Sequence, residues 1–509
     1  MSPPSLADVL PNSAAVRREK AALVAGERTI TYGELDDRAA KVGGALQAAG
    51  VRKGDRVALV LGNTPEFVEA LHGAWRIGAV VAPLNVMLTP EEAGYVLADA
   101  QARVVITDPG LLPMVLAVRD RVASLEHVFV TGPGPAPVAT TSYEEALLQA
   151  ADAPSVDVAG EDLALLSYTA GTTARPKGAM LTHGNLLANL DQMAEVPALA
   201  EAESDVVLLA LPLFHIYALN VVLGITLREG ATAILVERFD PSGTLDLVER
   251  HGVTVLFGAP PMFAAWLQAA SQREVDMSSV RLAVSGAAPL PGEVLDTFRE
   301  RLGVTIWEGY GLTETAPAVT TNALGEEAKP DSIGLVLPGV EVRLVDEHGE
   351  EVEDGDPGEI VVRGPNVFQG YWNRKEESAD AFRDGWLRTG DVAYRDQDGY
   401  LFIVDRTKDL VIVSGFNVFP KEVEDAILRH PKVAEVVVIG VPDERTGEAV
   451  KALIVPESGQ SLTEEEVLEH CRETLARFKW PRTIELVESL PKHVTGKVLR
   501  RLLRDQSAQ

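Results

Sequence analysis

The chain has 509 residues, 46% of them hydrophobic and 24% charged, and its 75 Asp and Glu outweigh 46 Lys and Arg to give a formal net charge of −29 at pH 7. This length exceeds a single core and suggests about two to four structural units, and the charge repels nucleic acid and anionic membrane surfaces over long range. The one cysteine, Cys471, excludes an intrachain disulfide and a cysteine-based zinc cluster, which fits a reducing, cytoplasmic compartment.

The first 20 residues carry prolines and scattered charges without a long apolar core, so they do not read as a secretory signal. Thr31-Tyr32-Gly33-Glu34-Leu35 opens a helical pattern that stops near Gly50. Residues 56–61 read as a buried strand, Thr64-Pro65 as the start of a helix ended by Gly78, and 79–84 as the next strand. Another capped start follows at Thr89-Pro90-Glu91-Glu92, with strands at 104–107 and 127–131. Strands separated by helices of this length predict a parallel sheet covered on both faces. From 131 to 159 the composition turns to Pro, Gly, Ala, Ser and Thr, which reads as a loose connection.

The stretch Tyr168-Thr169-Ala170-Gly171-Thr172-Thr173-Ala174-Arg175-Pro176-Lys177-Gly178 follows the apolar run 163–166 and reads as a phosphate loop. Gly171 and Gly178 let the backbone approach a ligand, Thr169, Thr172 and Thr173 offer hydroxyl donors, and Lys177 adds a point charge. It is not a P-loop, because Lys177 stands between Pro176 and Gly178 instead of opening a helix after glycine. Pro176 has no N–H to donate and disfavours helix at Arg175, so side chains must do the holding. The bland alternative is an ordinary surface turn.

Beyond the loop, 185–196 reads as a helix and 205–211 as a strand aimed at Pro212-Leu213-Phe214-His215-Ile216-Tyr217. Residues 206–227 contain no charge and are long enough to span a membrane. Pro212, His215 and Asn220 inside that run favour a strand, a loop and a helix in a soluble core. Further strands are expected at 231–236, 253–257 and 282–285. The last runs into Ser285-Gly286-Ala287-Ala288-Pro289, at a strand's carboxyl end, where open α/β sheets place ligands. The strand 304–307 then feeds a second small-residue loop, Glu308-Gly309-Tyr310-Gly311-Leu312-Thr313-Glu314-Thr315.

Between 331 and 404 short strands and Gly, Pro and Asp turns predict a small β subdomain. The charge cluster Asp405-Arg406-Thr407-Lys408-Asp409 marks a domain boundary. The rest reads as strand 410–413, helix 420–429, strands 433–441 and 449–455, a helix with the capping box Thr463-x-x-Glu466, strand 483–487 and a basic tail. Cys471 falls inside the helical pattern 464–475 and reads as packing.

With the two loops, the charge cluster and the tail Pro491-Lys492-His493-Val494-Thr495-Gly496-Lys497 in view, the chain resembles the acyl-adenylate-forming superfamily. That superfamily includes acyl-CoA synthetases, nonribosomal-peptide adenylation domains and firefly luciferase. The resemblance spans nearly the whole chain. It is nearest to bacterial fatty-acyl-CoA and 4-coumarate-CoA-ligase-like enzymes, through Leu211-Pro-Leu-Phe-His-Ile-Tyr-Ala-Leu-Asn220 and Val413-Ser-Gly-Phe-Asn-Val-Phe-Pro420. It implies an α/β fold with a large N-terminal domain of doubly wound sheets over 1–404, including the β subdomain, a hinge at 405–408 centred on Lys408, and a small mobile α+β domain over 409–509.

The resemblance also implies a two-step reaction. A carboxylate attacks the α-phosphate of ATP, giving acyl-AMP and pyrophosphate, and a thiol, CoA, then displaces AMP. The first step brings anion against anion, so catalysis is mostly positioning and charge neutralisation. On this resemblance Thr169, Gly171, Thr172, Thr173 and Lys177 hold the β- and γ-phosphates, and Thr169 and Glu314 lie near Mg²⁺. Gly286, Ala287, Ala288, Glu308, Gly309, Tyr310 and Gly311 wall the adenine, and Thr313 meets the α-phosphate. Asp391 takes the ribose hydroxyls with Arg406 beside it, and Lys497 supplies the cation of the adenylation transition state. Ser414, Gly415 and Phe416 match the pantetheine passage, and Arg238 a position that meets the CoA nucleotide phosphates. His215 resembles a gate beside the acyl carboxylate, and Ile216, Tyr217, Asn220, Val221, Gly309, Ala316 and Pro317 line the acyl pocket.

Taken alone, each residue has a plainer reading. Asp391 could cap a turn, Glu314 a helix, His215 could be a hydrogen-bonded core histidine, and Lys497 a solvated lysine. The superfamily usually has Ser or Thr where Ala170 stands and Gly where Ala174 stands, which bears on ATP affinity and leaves the reaction class intact. The pocket has no Arg or Lys for a second carboxylate, which favours a medium- or long-chain fatty acid, with an aryl acid such as a cinnamate as the alternative. An adenylating enzyme serving a carrier protein shares the same ATP site, and a carboxylate kinase or nucleotide-binding module also wants a threonine loop. No nucleic-acid partner and no membrane span are expected, while peripheral membrane contact and a homodimer stay open.

Overall fold

A computed structural model of the chain describes residues 5–134, 137–154, 156–169, 176–406, 411–413, 416–443, 446–475, 477–492, 498–500 and 503–504. Contacts divide the chain into two compact units, Met1–Glu341 with Val362–Leu387, and Val342–Val361 with Arg388–Gln509. The strands of the expected β subdomain thus fall largely in the unit that holds the C-terminal segment, and the division lies at other positions than 405–408.

The first unit is built on two large sheets. One has seven strands in the order Thr141–Ser142, His127–Val130, Ala102–Thr107, Arg56–Val60, Val80–Pro83, Leu163–Thr169 and Lys177–Thr182. The other has nine, in the order Leu335–Val336, Ala318–Thr321, Ile306–Gly311, Leu282–Ser285, Val255–Gly258, Val206–Leu209, Thr232–Leu235, Ala21–Ala25 and Arg28–Thr31. Most interior pairs are parallel, as the alternation of strands and helices predicts, while antiparallel pairs lie at both ends of the nine-stranded sheet and at the Lys177–Thr182 edge of the seven-stranded one. Helices open where the sequence caps them. The Thr31 and Thr89 side chains take the backbone N–H of Glu34 and Glu92, each completing a capping box for Tyr32–Ala48 and Pro90–Asp99. Pro65–Arg76 begins at its proline, although the Thr64 hydroxyl makes no cap bond.

Two sequence expectations change. The stretch 131–159 is not wholly loose, since it contains the strand Thr141–Ser142 and the helix Tyr143–Gln149, capped by Ser142 and anchored by buried Tyr143 and Leu147. The second small-residue loop is not a loop at its start, because Glu308 to Gly311 complete the strand Ile306–Gly311, paired antiparallel with Ala318–Thr321. The uncharged run 206–227 splits as expected into a strand, Val206–Leu209, a turn and a helix, which is a π-helix over Tyr217–Gly224 that continues as Ile225–Glu229. No helix among the described residues is long and apolar enough to cross a membrane.

The second unit contains strands of a five-stranded sheet, in the order Glu341–Val345, Gly358–Arg363, Trp386–Arg395 and Phe382–Arg383 with Leu401–Arg406 beside Trp386–Arg395. A second five-stranded sheet runs Phe416–Val418, Val411–Val413, Gly447–Pro456 and Val433–Asp443, with Thr483–Leu486 parallel to Gly447–Pro456. The helices Pro420–Leu428 and Glu464–Thr474 supply Val423, Ile427, Val467 and Cys471 to its core. Cys471 is buried, and burial pushes its thiol up to about 11, so it packs as a small hydrophobe.

Two histidines are buried in the first unit on either side of Trp75, His72 at 5.3 Å and His183 at 5.9 Å between ring centroids. Burial holds His72 down to about 3 and His183 to about 4. Below about pH 6.5 the unfolded chain takes up protons that these folded imidazoles refuse, so stability falls as pH drops toward 4, by roughly 1.4 kcal/mol per pH unit for each histidine. His72→Leu should therefore flatten the decline of urea midpoint between pH 6.5 and 4.5. An unchanged slope would show that His72 is not held neutral by its surroundings.

Candidate active site

The site begins where the parallel strands of the nine-stranded sheet end. Ser285 stands opposite both Gly258 and Glu308 in register, so Gly286 and Gly309 follow side by side at neighbouring carboxyl ends. The Gly286 N–H donates to the Gly258 carbonyl at 3.1 Å. A Cβ on Gly286 would lie 3.1 Å from the Tyr217 ring and 3.6 Å from the Gly309 carbonyl oxygen, so three predicted site residues meet at one point. The Tyr217 hydroxyl donates to the Val284 carbonyl at 3.2 Å, fixing the ring. Ala287 sits at φ +73°, and Ala288 is half-buried beside it.

Strand pairing continues to Gly311, where a Cβ would lie 1.9 Å from the Pro317 carbonyl oxygen. Only glycine fits there. Thr313–Thr315 then forms a 3₁₀ turn, closed by the Leu312 N–H to the Pro317 carbonyl at 3.1 Å. Four buried or half-buried amide side chains hold the backbone beyond it. Asn220 donates to the Ala316 carbonyl at 2.7 Å and to Leu186 at 3.1 Å. Asn189 accepts from the Ala318 N–H and donates to its carbonyl and to Gln192. Gln192 donates to Asn366, which donates in turn to the Thr315 and Ala318 carbonyls. Asn220, expected in the acyl pocket, thus spends its N–H groups on backbone.

The phosphate-loop stretch lies in sequence between two paired strands. Leu163–Thr169 and Lys177–Thr182 pair antiparallel, with Thr169 opposite Lys177 and Tyr168 opposite Gly178. Thr169 and Lys177 thereby end the two strands side by side, while Tyr168 donates to Asp99 at 2.8 Å. The Lys177 ammonium lies 5.1 Å from the Tyr371 ring centroid and 3.5 Å from Glu377, and the Tyr371 hydroxyl donates to Glu314 at 2.8 Å. Lys177 and Glu314, named from separate motifs, are therefore joined through one tyrosine. Tyr371 and Glu377 escaped the sequence reading; the only signal was an aromatic following Gly370, which has φ +116°.

Of the remaining expected residues, His215 is half-buried, with its ring 5.8 Å from Phe214, Ile216 and Val221 are buried, Tyr310 is half-buried, and Arg238 is exposed. Ala316 and Pro317 are buried, Ala316 at φ +68°. In the second unit Asp391 is buried, its N–H donates to the Thr389 hydroxyl at 3.1 Å, and it pairs in register with Arg406 across two strands. Phe416 stands opposite Val413 at a strand end. Gly171, Thr172, Thr173, Lys408, Ser414, Gly415 and Lys497 lie outside the described residues.

Among the described residues no three His, Cys, Asp or Glu side chains cluster as a metal site. Glu314 is a single carboxylate. Mg²⁺ keeps most of its waters and takes one or two carboxylates together with substrate phosphates, so this donor set fits an ion delivered with a nucleotide.

A family model described as AMP-binding enzyme matches residues 10–372, and the model of the AMP-binding enzyme C-terminal domain matches 422–497. The chain is 35% identical to a long-chain-fatty-acid–CoA ligase of Bacillus subtilis, over 99% of this chain and 95% of that one. It is 40% identical to a feruloyl-CoA synthase of an Amycolatopsis species, over 96% of this chain and 95% of that one. The crystal structure of ATP-bound MatB from Rhodopseudomonas palustris superposes with a TM-score of 0.91 at 36% identity, covering 99% of both chains.

Glu308 separates from the other wall residues chemically. It is buried at the strand end, accepts the Leu290 N–H at 3.2 Å, and burial, with Asp331 adding to it, pushes its carboxyl up to about 8. The folded chain then keeps a proton that the unfolded chain loses near pH 4.5. Glu308 therefore supports the fold below that pH and loses its contribution as pH rises toward 8. Glu308→Gln should flatten the fall of melting temperature between pH 6 and 8.5. A melting curve that stays as steep as that of the parent would mean that Glu308 is ionised in the fold.

Proposed function

The chain belongs to the AMP-binding enzyme family and is an AMP-forming acid–CoA ligase of the acyl or aryl type, and we propose from that premise that its acid is a medium- or long-chain fatty acid, activated with Mg²⁺ and passed to CoA. The observation that carries the substrate class is the composition of the pocket wall. Ile216, Tyr217, Val221, Gly309, Ala316 and Pro317 are small or apolar, none is Lys or Arg, and the Asn220 amide is occupied by backbone carbonyls. A second carboxylate buried there would have no partner. An aryl acid is the second reading, favoured by the Tyr217 ring, whose atoms come within 3.1 Å of where a Cβ on Gly286 would stand and which offers a planar acyl group an aromatic partner.

In this reading Thr169 and Lys177, with Gly171, Thr172 and Thr173 between them, hold the β- and γ-phosphates. Glu314 and Thr169 would hold Mg²⁺, which neutralises phosphate charge when bound. Gly286, Ala287, Ala288 and the strand from Glu308 to Gly311 wall the adenine, Thr313 meets the α-phosphate, and Asp391 with Arg406 takes the ribose. Lys497 draws charge off the α-phosphate as the carboxylate attacks. Ser414, Gly415, Phe416 and Arg238 serve CoA in the second step, with Lys408 as the hinge between steps.

Pyrophosphate–ATP exchange without any thiol should depend on added acid, fatty acids should outperform cinnamic acids, and CoA should convert the adenylate to thioester with AMP released. ADP as product would indicate a carboxylate kinase, and exchange indifferent to every acid would overturn the ligase reading. Lys497→Ala should slow adenylation roughly a hundred- to thousand-fold, the loss of about 2.7–4 kcal/mol seen for a single charge-stabilising donor. Thioester formation from supplied acyl-AMP should survive in that variant. Equal loss of both half-reactions would make Lys497 a structural residue.

A further inference from the structure

The segment after Phe368 is laid against the very strand that begins with Lys177. The Gln369 N–H donates to Met180, the Met180 N–H to Gly370, and the Trp372 N–H to Gly178, at 3.1, 2.9 and 2.8 Å, with Ala179 bridged to Tyr371. Ser378 locks the turn that follows, its hydroxyl accepting the Tyr371 N–H at 2.8 Å and donating to the Arg374 carbonyl at 2.6 Å. Phe368 packs edge-on against the Tyr371 ring at 4.9 Å, and its own N–H donates to the Glu314 carbonyl at 2.9 Å. Tyr371 is thus fixed at its backbone, along its ring and at its hydroxyl.

Charged groups meet both its hydroxyl and its ring face. The hydroxyl meets Glu314, the ring face meets Lys177, and Lys177 meets Glu377, which also lies 3.7 Å from Arg374. Arg374 is anchored to Asp99 at 3.0 Å and to Tyr95 at 2.7 Å. A polyphosphate that recruits Lys177 must displace Glu377, a carboxylate of like charge already in contact with it.

We propose that Tyr371 is a positioning residue, which holds the Glu314 carboxylate and seats Lys177 together, and that Glu377 occupies Lys177 as a placeholder anion until a nucleotide's phosphates replace it. The consequence for catalysis rests on the nucleotide reading above. The held pair itself belongs to the ligand-free chain and can be read without any turnover.

The test therefore has two arms. In ligand-free protein, labelling of Lys177 by an amine-reactive ester, followed by mass spectrometry, should rise roughly two- to fivefold in Glu377→Gln, the range expected for loss of a partly exposed ion pair. It should rise in Tyr371→Ala and change less in Tyr371→Phe, which keeps the ring. In pyrophosphate–ATP exchange, Glu377→Gln should lower the KM for ATP by a similar factor, because the competing carboxylate is gone. Tyr371→Phe should lower kcat about tenfold, the lower range for a hydrogen bond to a charged group, with KM for ATP within about twofold and the melting temperature retained.

Lys177 labelling that is unchanged in both Glu377→Gln and Tyr371→Ala would overturn the held pair. Undiminished kcat in Tyr371→Phe, or a kcat loss accompanied by a matching loss of melting temperature, would overturn the positioning role. If labelling shifts as expected while the parent chain exchanges no pyrophosphate with any acid, the functional reading fails and the held pair stands.

Discussion

Buried amide hydrogen bonds hold the backbone between Gly311 and Ala318, and the candidate site depends on them. Asn189, Gln192, Asn220 and Asn366 reach it from two helices and a returning loop, and between them they engage the carbonyls of Thr315, Ala316 and Ala318. A buried amide left without a partner costs about 1–3 kcal/mol, so each of these side chains penalises any other path for that backbone. The same path puts Glu314 within reach of Tyr371 and brings Pro317 so close to residue 311 that only glycine is tolerated. Rigidity here comes from polar groups satisfied in low dielectric, where they favour one arrangement over near alternatives.

The charge of the chain works in the opposite direction to its task. A net −29 opposes a polyphosphate at long range, but at physiological ionic strength such fields decay over about 8 Å. Binding is then decided by the few groups the nucleotide touches. Among the described residues of the two loops Lys177 is the cation, and it is already countered by Glu377. On the proposed reading, the ion that travels with the phosphates and Lys497 add to that neutralisation, which matches a reaction whose barrier is charge against charge.

Much of this architecture was legible in the sequence because it follows from local rules. The Thr31, Thr89 and Thr463 capping boxes, the prolines at helix starts and the apolar strand runs all fall where the pattern puts them. The helix Tyr143–Gln149 was missed because it is short and set within a stretch rich in Pro, Gly, Ala, Ser and Thr, and tertiary burial of Tyr143 decides the matter. The Glu308 to Gly311 stretch looked like a loop because two glycines argue against a strand. Its partner Ala318–Thr321 overrides that propensity. The bond from Tyr371 to Glu314 crosses 57 residues, and the Asn366 to Gln192 bond crosses 174. Neither leaves a periodic trace, so only the fold reveals which polar residues were recruited.

Cys471 carries a practical consequence. It is the chain's sole thiol and is wholly enclosed among Val423, Ile427, Val467 and their neighbours in the second unit. A thiol reagent added to the native protein has nothing to attack until that core opens. The rate of its modification is therefore a clock for opening of one unit alone, blind to whatever happens in the other. Any cysteine introduced elsewhere on the surface can be labelled first, by contrast, with no native thiol to remove.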